Sequence, residues 1–304
     1  MKKISNRMSF LDCTFYKEHI FLTGDSVPVF NVYSYNGLNQ IIGYAKYINP
    51  NNKILYRGEC KIHNSMRPSI NHTITSQRAR DKANSKINKI IEKAFSDVKF
   101  CQFSKLNGTR TTDKYVMESV LQHYGIDTHC IDVVDNHWIA LWFGQNRYIE
   151  VKNINKYCRY EPRIKNIYDI MEYTSLEDEK LYQYIILLAA NYVEGEQGIT
   201  ITEDLITIDL RSALPSTFLR PHAQHGWVIR KNTHSPEDTY DLAENVVGIL
   251  RIRIDYANKW IGNGNLLSLE NLFPSPAYDQ GYDVLLCRSD LFEDSMNSIV
   301  KYIY

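Results

Sequence analysis

The chain has 304 residues, of which 44% are hydrophobic and 23% charged, and its formal net charge is zero. This composition is typical of a globular protein, and the length suits one large domain or two modest ones. Zero net charge excludes a strong general attraction to nucleic acid or to an anionic membrane, although a local basic patch stays open.

The six cysteines are widely spaced and include no Cys-x-x-Cys pair, which indicates reduced and mostly buried thiols. Residues 1–9 are basic, but no long apolar run follows them. No stretch of about 18 apolar residues occurs anywhere. We therefore predict a cytoplasmic protein with neither a signal peptide nor a membrane partner.

Hydrophobic periodicity predicts strands and helices in mixed order along the chain. The segment 182–190 is apolar on all sides and fits either a buried strand or a buried helix. No Gly-, Pro- or Ser-rich break separates two cores. Together with the family resemblance described below, these elements predict an α+β fold with a mixed, mainly antiparallel sheet and flanking helices. Strands are predicted over 27–33, 54–60, 148–151, 199–202, 206–210, 246–254 and 284–287, and helices over 38–47, 76–98, 114–124, 136–143, 266–273 and 290–302.

Capping residues mark two of these helices. Asp113 is the predicted N-cap of the helix over 114–124, and Gly125 the residue that ends it. Asn136 is the predicted cap of the next helix. The helix over 76–98 has a basic outer face, which is either a solvated surface or a surface for nucleic acid or nucleotide phosphate.

Polar side chains set among apolar ones concentrate in residues 121–144. A buried polar group needs a partner, so this run predicts either a functional cleft or a buried polar network. The spacing matches no recognised zinc pattern, and no Walker, Rossmann or nucleophile-elbow motif is present. The polar side chains are Gln122, His123, Thr128, His129, Asp132 and His137.

Arg57 follows an apolar run at the end of a predicted strand. An Arg there is either a satisfied interior cation or a binder of phosphate or carboxylate, because its planar fork donates two parallel hydrogen bonds. Gly58 beside it indicates a close approach of another backbone. We expect Arg57 and Asp132 to be in contact.

Four separated pieces of the chain point to one family. They are Tyr56-Arg57-Gly58, Met66-Arg67-Pro68-Ser69, Leu121 to Asp132 with Ala140 to Phe143, and Arg220 with Ala223 to Gly226. The first resembles the Phe-Arg-Gly signature that names the FRG domain family of bacteria and phages. The third is similar to the Gln-His-Tyr-Gly block of that family and its Ala-Leu-x-Phe helix. The departures are Tyr56 for Phe, Asp127 for Pro, His129 for Arg and Val133 for Trp.

The resemblance implies a single FRG-like domain over 1–304, with an N-terminal extension (1–50) and a C-terminal elaboration (230–304). The family layout looks like the ADP-ribosyltransferase fold, which implies an ADP-ribosyltransferase-like core with NAD as the bound substrate. On that analogy, Arg57 binds a phosphate and His123 or Thr128 contacts a ribose. Gln224 stands where the fold has a late Glu, so Glu196 or Asp132 would supply the negative charge. The implied catalytic residues are Arg57, His123, Asp132, Gln224 and Glu196, and the implied cofactor-binding residues are Tyr56, Gly58, Gln122, Thr128 and Arg220.

The function implied is that of an NAD-consuming ADP-ribosyltransferase or NAD glycohydrolase, acting as a bacterial toxin or anti-phage effector. The acceptor would be a protein or nucleic acid, and this role implies an antitoxin or a defence-system partner. One alternative is a non-enzymatic module that binds nucleotide or nucleic acid through Arg57, Arg220 and the basic helix. Another is a nuclease that pairs His123 with His222 or His225.

Overall fold

A computed structural model describes residues 1–71, 76–151, 157–163, 179–193, 197–232, 240–292 and 299–303. The strands are β1 Cys13–Ile20, β2 Ser26–Val32, β3 Asn52–Glu59, β4 Ile131–Val134, β5 Asn146–Val151, β6 Tyr157–Pro162, β7 Tyr182–Asn191, β8 Ile199–Ile201, β9 Leu205–Asp209, β10 Gly226–Lys231, β11 Val246–Arg253 and β12 Lys301–Tyr302. The helices are α1 Tyr35–Ile48, α2 Gln77–Ser96, α3 Val98–Ser104, α4 Thr111–His123, α5 His137–Gln145, α6 Leu210–Ala213, α7 Leu219–Ala223, α8 Ile254–Trp260, α9 Leu269–Leu272, α10 Gln280–Cys287 and α11 Ser289–Phe292. Among the described helices, none has the length and apolar character needed to cross a membrane.

Nine strands form one sheet in the order β1-β2-β11-β7-β3-β4-β10-β9-β8. All neighbours in it are antiparallel except β2 and β11, which run parallel. This arrangement confirms the predicted mixed α+β fold with a mainly antiparallel sheet. A smaller sheet has the order β12-β6-β5.

Alternating side chains of the large sheet enter three hydrophobic cores. Tyr56 and Leu187 belong to the core that α1 and α5 cover. Val228 belongs to a second core, which includes residues of α2 and α4. Leu55 and Ile186, one position away from Tyr56 and Leu187 along their strands, pack into a third core. Because successive strand residues point to opposite faces, the third core lies on the other side of the sheet.

The sheet is weakest at its middle, between β3 and β4. Eight residue pairs join β3 to β7, whereas the described register between β3 and β4 is the single pair Tyr56–Val134. One residue further along β3, Arg57 Nη1 donates to the main-chain oxygen of Asp132 at 2.8 Å. A side chain therefore spans the two strands where main-chain pairing has ended. We call this junction the central seam.

Gly58 lets α5 pack directly on β3, as the sequence predicted. A Cβ at Gly58 would lie 1.8 Å from the main-chain oxygen of Ala140, a distance that no side chain can accept. This contact draws the N-terminal half of α5 against the strand that carries Arg57. The glycine is thus required for packing beside the seam.

The end of α4 forms as predicted. Gly125 has φ +99°, its N–H donates to Gln122 O at 2.9 Å, and Ile126 N–H donates to Leu121 O at 2.9 Å. These two bonds are the Schellman pattern, which fixes the last turn of the helix. The start of α4 differs from the prediction: Asp113 is the third helical residue, because the helix begins two residues earlier, at Thr111.

The cap of α5 is also as predicted, since Asn136 accepts from the N–H of Trp138 at 2.9 Å. The segment 182–190, left open between strand and helix, lies in the buried strand β7.

Two predictions near the end of the chain are wrong. The strand predicted over 284–287 is part of α10, which begins because Asp279 accepts a hydrogen bond from the N–H of Tyr282 at 3.0 Å. The helix predicted over 290–302 is replaced by the short α11 and, after 293–298, which lie outside the described residues, by β12. Val300 N–H donates to Tyr124 O at 3.1 Å, a tertiary contact that favours extended backbone there.

Candidate functional site

A cavity of about 420 Å³ opens at the central seam, beside the last residues of β3 and the end of α4. Its walls combine aromatic rings with ionisable groups. Such a mixture is typical of a ligand site, where apolar walls surround a few placed polar groups. The aromatic lining is Tyr56, Phe143, Tyr148, Tyr160, Phe273 and Tyr302, and the ionisable lining includes Arg57, Glu59, His123, Asp127, Asp132 and Glu150.

Asp132 is held in place by the last turn of α4. Gln122 Nε2 donates to Asp132 Oδ2 at 2.9 Å, and His123 Nδ1 lies 3.3 Å from Asp132 Oδ1. Thr128 Oγ1 donates to Gln122 Oε1 at 2.7 Å and so fixes that amide. Burial raises the pKa of Asp132, but its hydrogen bonds with His123 and Gln122 and the charge of Arg57 outweigh this and lower the pKa below its usual range. Asp132 is therefore a carboxylate at neutral pH.

The structure confirms that Arg57 and Asp132 are in contact, through the main-chain oxygen of Asp132 rather than its carboxylate. The carboxylate partner of Arg57 is Glu59, whose Oε1 accepts from Arg57 Nε at 2.6 Å. Nη2 of Arg57 makes no hydrogen bond with the described part of the chain. At one edge of the cavity, Arg57 of β3 thus binds both the main chain of β4, at Asp132, and the carboxylate of Glu59.

Glu59 is a cavity residue that the sequence reasoning missed. Its Oε1 is bound by Arg57, and its Oε2 lies 4.0 Å from His63 Nε2. Its side chain is 18% exposed. The sequence did contain a signal for Glu59. Residues two apart on a strand point to the same face, so a site that includes the Arg57 side chain should also include Glu59.

Most of the predicted site residues come together. Tyr56, Arg57, Gly58, Gln122, His123, Asp132 and Gln224 all line the cavity. Gln224 donates through Nε2 to Leu272 O at 2.8 Å. Thr128 is fully buried behind Gln122 and does not line the cavity. Glu196 lies outside the described residues.

Arg220 lies behind the cavity wall and is fully buried. Its guanidinium carbon is 4.3 Å from the ring centre of Tyr124, 4.5 Å from that of Tyr282 and 4.6 Å from that of Tyr302. Phe273 completes this aromatic cage at 5.5 Å. Tyr302 and Phe273 have both the cavity and Arg220 as neighbours.

His129, which stands where the FRG family has Arg, belongs to a separate buried network. Its Nδ1 lies 2.8 Å from Glu118 Oε1, and its Nε2 lies 2.6 Å from Asn84 Oδ1. The other carboxylate oxygen of Glu118 pairs with Arg230 on β10. Both ring nitrogens of His129 are thus occupied away from the cavity, and this network joins α2, α4 and β10.

The histidines proposed for a nuclease do not all line the cavity, although the His123 ring lies beside Gly226, in the segment that carries the other two. His123 lines the cavity, whereas His225 pairs with Asp135, 3.1 Å from Nδ1 to Oδ1. His222 and His225 are not part of the cavity lining. Within the described ranges, no group of three His, Cys, Asp or Glu side chains is arranged to hold a metal ion.

The outer surface of α2 is less uniformly basic than the sequence suggested. Arg78, Lys82, Lys89 and Lys93 are exposed, with the carboxylates of Asp81 and Glu92 exposed among them. A mixture of both signs is typical of a solvated helix face, although cations stay in excess here.

Comparison with known families identifies one domain in the chain. The FRG domain model matches residues 52–152, a segment from β3 to the residue after β5. This match confirms the resemblance to the FRG domain family. The segment contains Arg57, Glu59, Gln122, His123 and Asp132, and so most of the ionisable wall of the cavity. A search of the curated proteins and a search of the solved structures each found no match to the chain.

Proposed function

We propose that the chain is an enzyme that breaks the bond between nicotinamide and ribose in NAD. The ADP-ribosyl group would pass to water or to a protein or nucleic-acid acceptor. The observation that supports this best is the pair of carboxylates fixed in an aromatic cavity, Glu59 by Arg57 and Asp132 by Gln122 and His123. The setting of a bacterial toxin or anti-phage effector belongs to the same proposal.

The charge of the cavity suits this reaction. Departure of nicotinamide leaves positive charge on the ribose, and a fixed carboxylate stabilises such charge most strongly where little water is present. The cavity has four carboxylates in its lining, at Glu59, Asp127, Asp132 and Glu150. Against them stand the cation of Arg57 and the ring of His123. A site with this excess of negative charge favours a cationic transition state.

Glu59 is the carboxylate that we assign to the developing cation. Both oxygens of Asp132 already have partners, in Gln122 and His123. Glu59 has one oxygen bound by Arg57 and the other 4.0 Å from His63. Oε2 of Glu59 therefore has no close hydrogen-bond partner among the described residues. Asp132 instead positions Arg57, through its main-chain oxygen, and the end of α4, through its carboxylate. This assignment supplies the charge that Gln224 lacks.

The aromatic wall gives the nicotinamide ring a place to stack. Tyr148 and Tyr160 lie on neighbouring strands of the small sheet, with ring centres 5.6 Å apart. Phe143 of α5 is 6.0 Å from Tyr160. Planar rings at these distances offer apolar faces to a flat ligand and limit the entry of water.

The test is incubation of purified protein with NAD, with nicotinamide release followed by chromatography. Glu59→Gln should slow release by about 100-fold or more, since loss of one preorganised electrostatic contact typically costs that much. Glu270→Gln, at an exposed position of α9, is the matched control and should retain the parent rate. Equal rates for the parent and Glu59→Gln would contradict the assignment. Binding of NAD without release by the folded parent would favour a nucleotide-binding module.

A further inference from the structure

Arg220 is a buried cation whose hydrogen-bonding groups are largely unused. A guanidinium has five N–H donors and cannot lose its charge in a protein. Nη1 donates to His123 O at a long 3.4 Å, and the guanidinium is also a hydrogen-bonding neighbour of the Tyr282 hydroxyl. Nε and Nη2 have no hydrogen-bond partner among the described residues. The aromatic cage stabilises the charge through cation–π contacts but leaves these donors unsatisfied.

Asp279 accepts a hydrogen bond from the main chain of Arg220 but does not form an ion pair with its guanidinium. Asp279 Oδ1 accepts from Leu219 N–H at 3.1 Å and from Tyr282 N–H at 3.0 Å. Oδ2 accepts from the main-chain N–H of Arg220 at 3.1 Å and from Tyr124 Oη at 2.8 Å. Four donors thus saturate Asp279, which leaves the Arg220 side chain without an ion-pair partner in the described chain.

The half-buried side chain of Tyr302 lines the cavity and contacts this guanidinium more closely than Phe273, the other ring that does both. Its ring centre is 4.6 Å from the guanidinium carbon, and the same residue lines the cavity. It belongs to β12, which is two residues long. Besides its parallel pairing with β6, four hydrogen bonds hold this segment. They are Val300 N–H to Tyr124 O at 3.1 Å, Tyr282 Oη to Val300 O at 2.7 Å, Tyr302 N–H to Tyr282 Oη at 3.3 Å, and Ile303 N–H to Cys158 O at 2.8 Å. Such a short strand can move without disrupting the large sheet.

We propose that Arg220 is a closed subsite for a phosphate or diphosphate group, covered by Tyr302 until an anionic ligand enters the cavity. When the Tyr302 ring swings aside, Nε and Nη2 of Arg220 become donors for two phosphate oxygens in a bidentate contact. As a subsite for the diphosphate of NAD, this inference rests on the proposed function. It also supplies a second cation beside Arg57, whose Nε and Nη1 are already engaged by Glu59 and Asp132.

A purely structural role for Arg220 makes a different prediction. If the cage existed only to stabilise the cation, removal of Tyr302 would loosen the fold and bring no gain in anion binding. If Tyr302 covers a subsite, its removal should strengthen anion binding, because the closed conformation no longer competes with the ligand. Binding of an anion therefore separates the two roles.

The experiment measures the affinity of the protein for inorganic pyrophosphate by calorimetry at constant ionic strength. Tyr302→Ala should bind pyrophosphate about 10-fold more tightly than the parent or better, as expected when a minor open state of about 10% or less becomes dominant. Tyr302→Phe keeps the ring and should behave as the parent. The double variant Tyr302→Ala with Arg220→Gln should lose the gain.

A second readout covers the case in which Arg220→Gln does not fold. In Tyr302→Ala, the Nε–Hε resonance of Arg220 should shift on addition of pyrophosphate, as observed by nitrogen-15 NMR. Failure of Tyr302→Ala to bind more tightly, or a gain that persists without Arg220, overturns the proposal. Nicotinamide release is assayed separately, so pyrophosphate binding without release would refute the proposed reaction and leave the subsite intact.

Discussion

Replacing Glu118 with Gln tests the buried network that joins α4 to β10. Glu118 is 4% exposed, and its Oε1 accepts from His129 N–H at 3.0 Å. Its Oε2 pairs with Arg230. The substitution keeps the shape of the side chain but removes its charge. Arg230 would then remain buried without the carboxylate that compensates it.

The size of the effect follows from the pKa of Glu118. Burial raises that pKa, but the charge of Arg230 and the hydrogen bonds from His129 outweigh it and lower the pKa from 4.5 to about 2. A depression of this size corresponds to about 3 kcal/mol of unfolding free energy at neutral pH. Loss of one partner from a buried ion pair typically costs about 3–5 kcal/mol, which agrees. We therefore expect Glu118→Gln to lower the free energy of unfolding by about 3 kcal/mol.

The destabilisation caused by Glu118→Gln should depend on pH. Because folding depresses the pKa of Glu118, its contribution is complete above pH 4.5 and is lost as the pH falls towards 2. The assay is urea unfolding of the parent and the variant, followed by tryptophan fluorescence across this range. The difference in unfolding free energy between them should shrink as the pH falls. Glu92→Gln, at an exposed position of α2, is the control and should show little difference at any pH. A difference for Glu118→Gln that stays constant with pH would refute the reasoning.

Two further predictions concern the cavity and its supports. Gly58→Ala should destabilise the protein by about 3 kcal/mol or more in thermal unfolding, because its Cβ would overlap Ala140 O. Gly43→Ala, where a Cβ meets nothing within 4 Å, should instead raise stability by about 0.5–1 kcal/mol, and equal stability of the two variants would contradict the packing argument. Burial raises the pKa of Cys60, a cavity residue, so iodoacetamide should label it more slowly than the exposed Cys287 in peptide mass spectrometry. NAD should slow labelling of Cys60 further and leave Cys287 unaffected; equal slowing of both would argue against binding in this cavity.

Features that depend on local chemistry could be predicted from the sequence. Gly125 ends α4 and Asn136 caps α5 because both act on hydrogen-bonding groups within a few residues of themselves. The close approach at Gly58 was likewise visible, since a glycine in a strand often marks one. These local signals were enough to place Gln122 and His123 at the end of a helix, and therefore at the edge of the site.

Features that depend on distant partners could not be predicted. Arg220 gains its cage from Tyr124, Tyr282 and Tyr302, which no local pattern connects to it. The strand predicted over 284–287 was wrong because four consecutive apolar residues fit a buried strand and a buried helix equally. Asp279 is the N-cap of the helix that forms there, but Gly281 in its first turn lowers the helix propensity of this segment.

The central seam bears on whether the matched FRG segment can fold by itself. A fragment of residues 52–152 would contain β3 and β4 but neither β7 nor β10, which supply most of their pairing. The two strands meet at one residue pair and one arginine side chain, too little to hold a sheet together. The fragment would also lose Phe273 and Tyr302 from the cavity wall. The segment that matches the FRG model thus lies at the centre of the fold, and its stability depends on the chain on either side. Excision at its sequence boundaries should therefore yield an unfolded peptide rather than a smaller version of the protein.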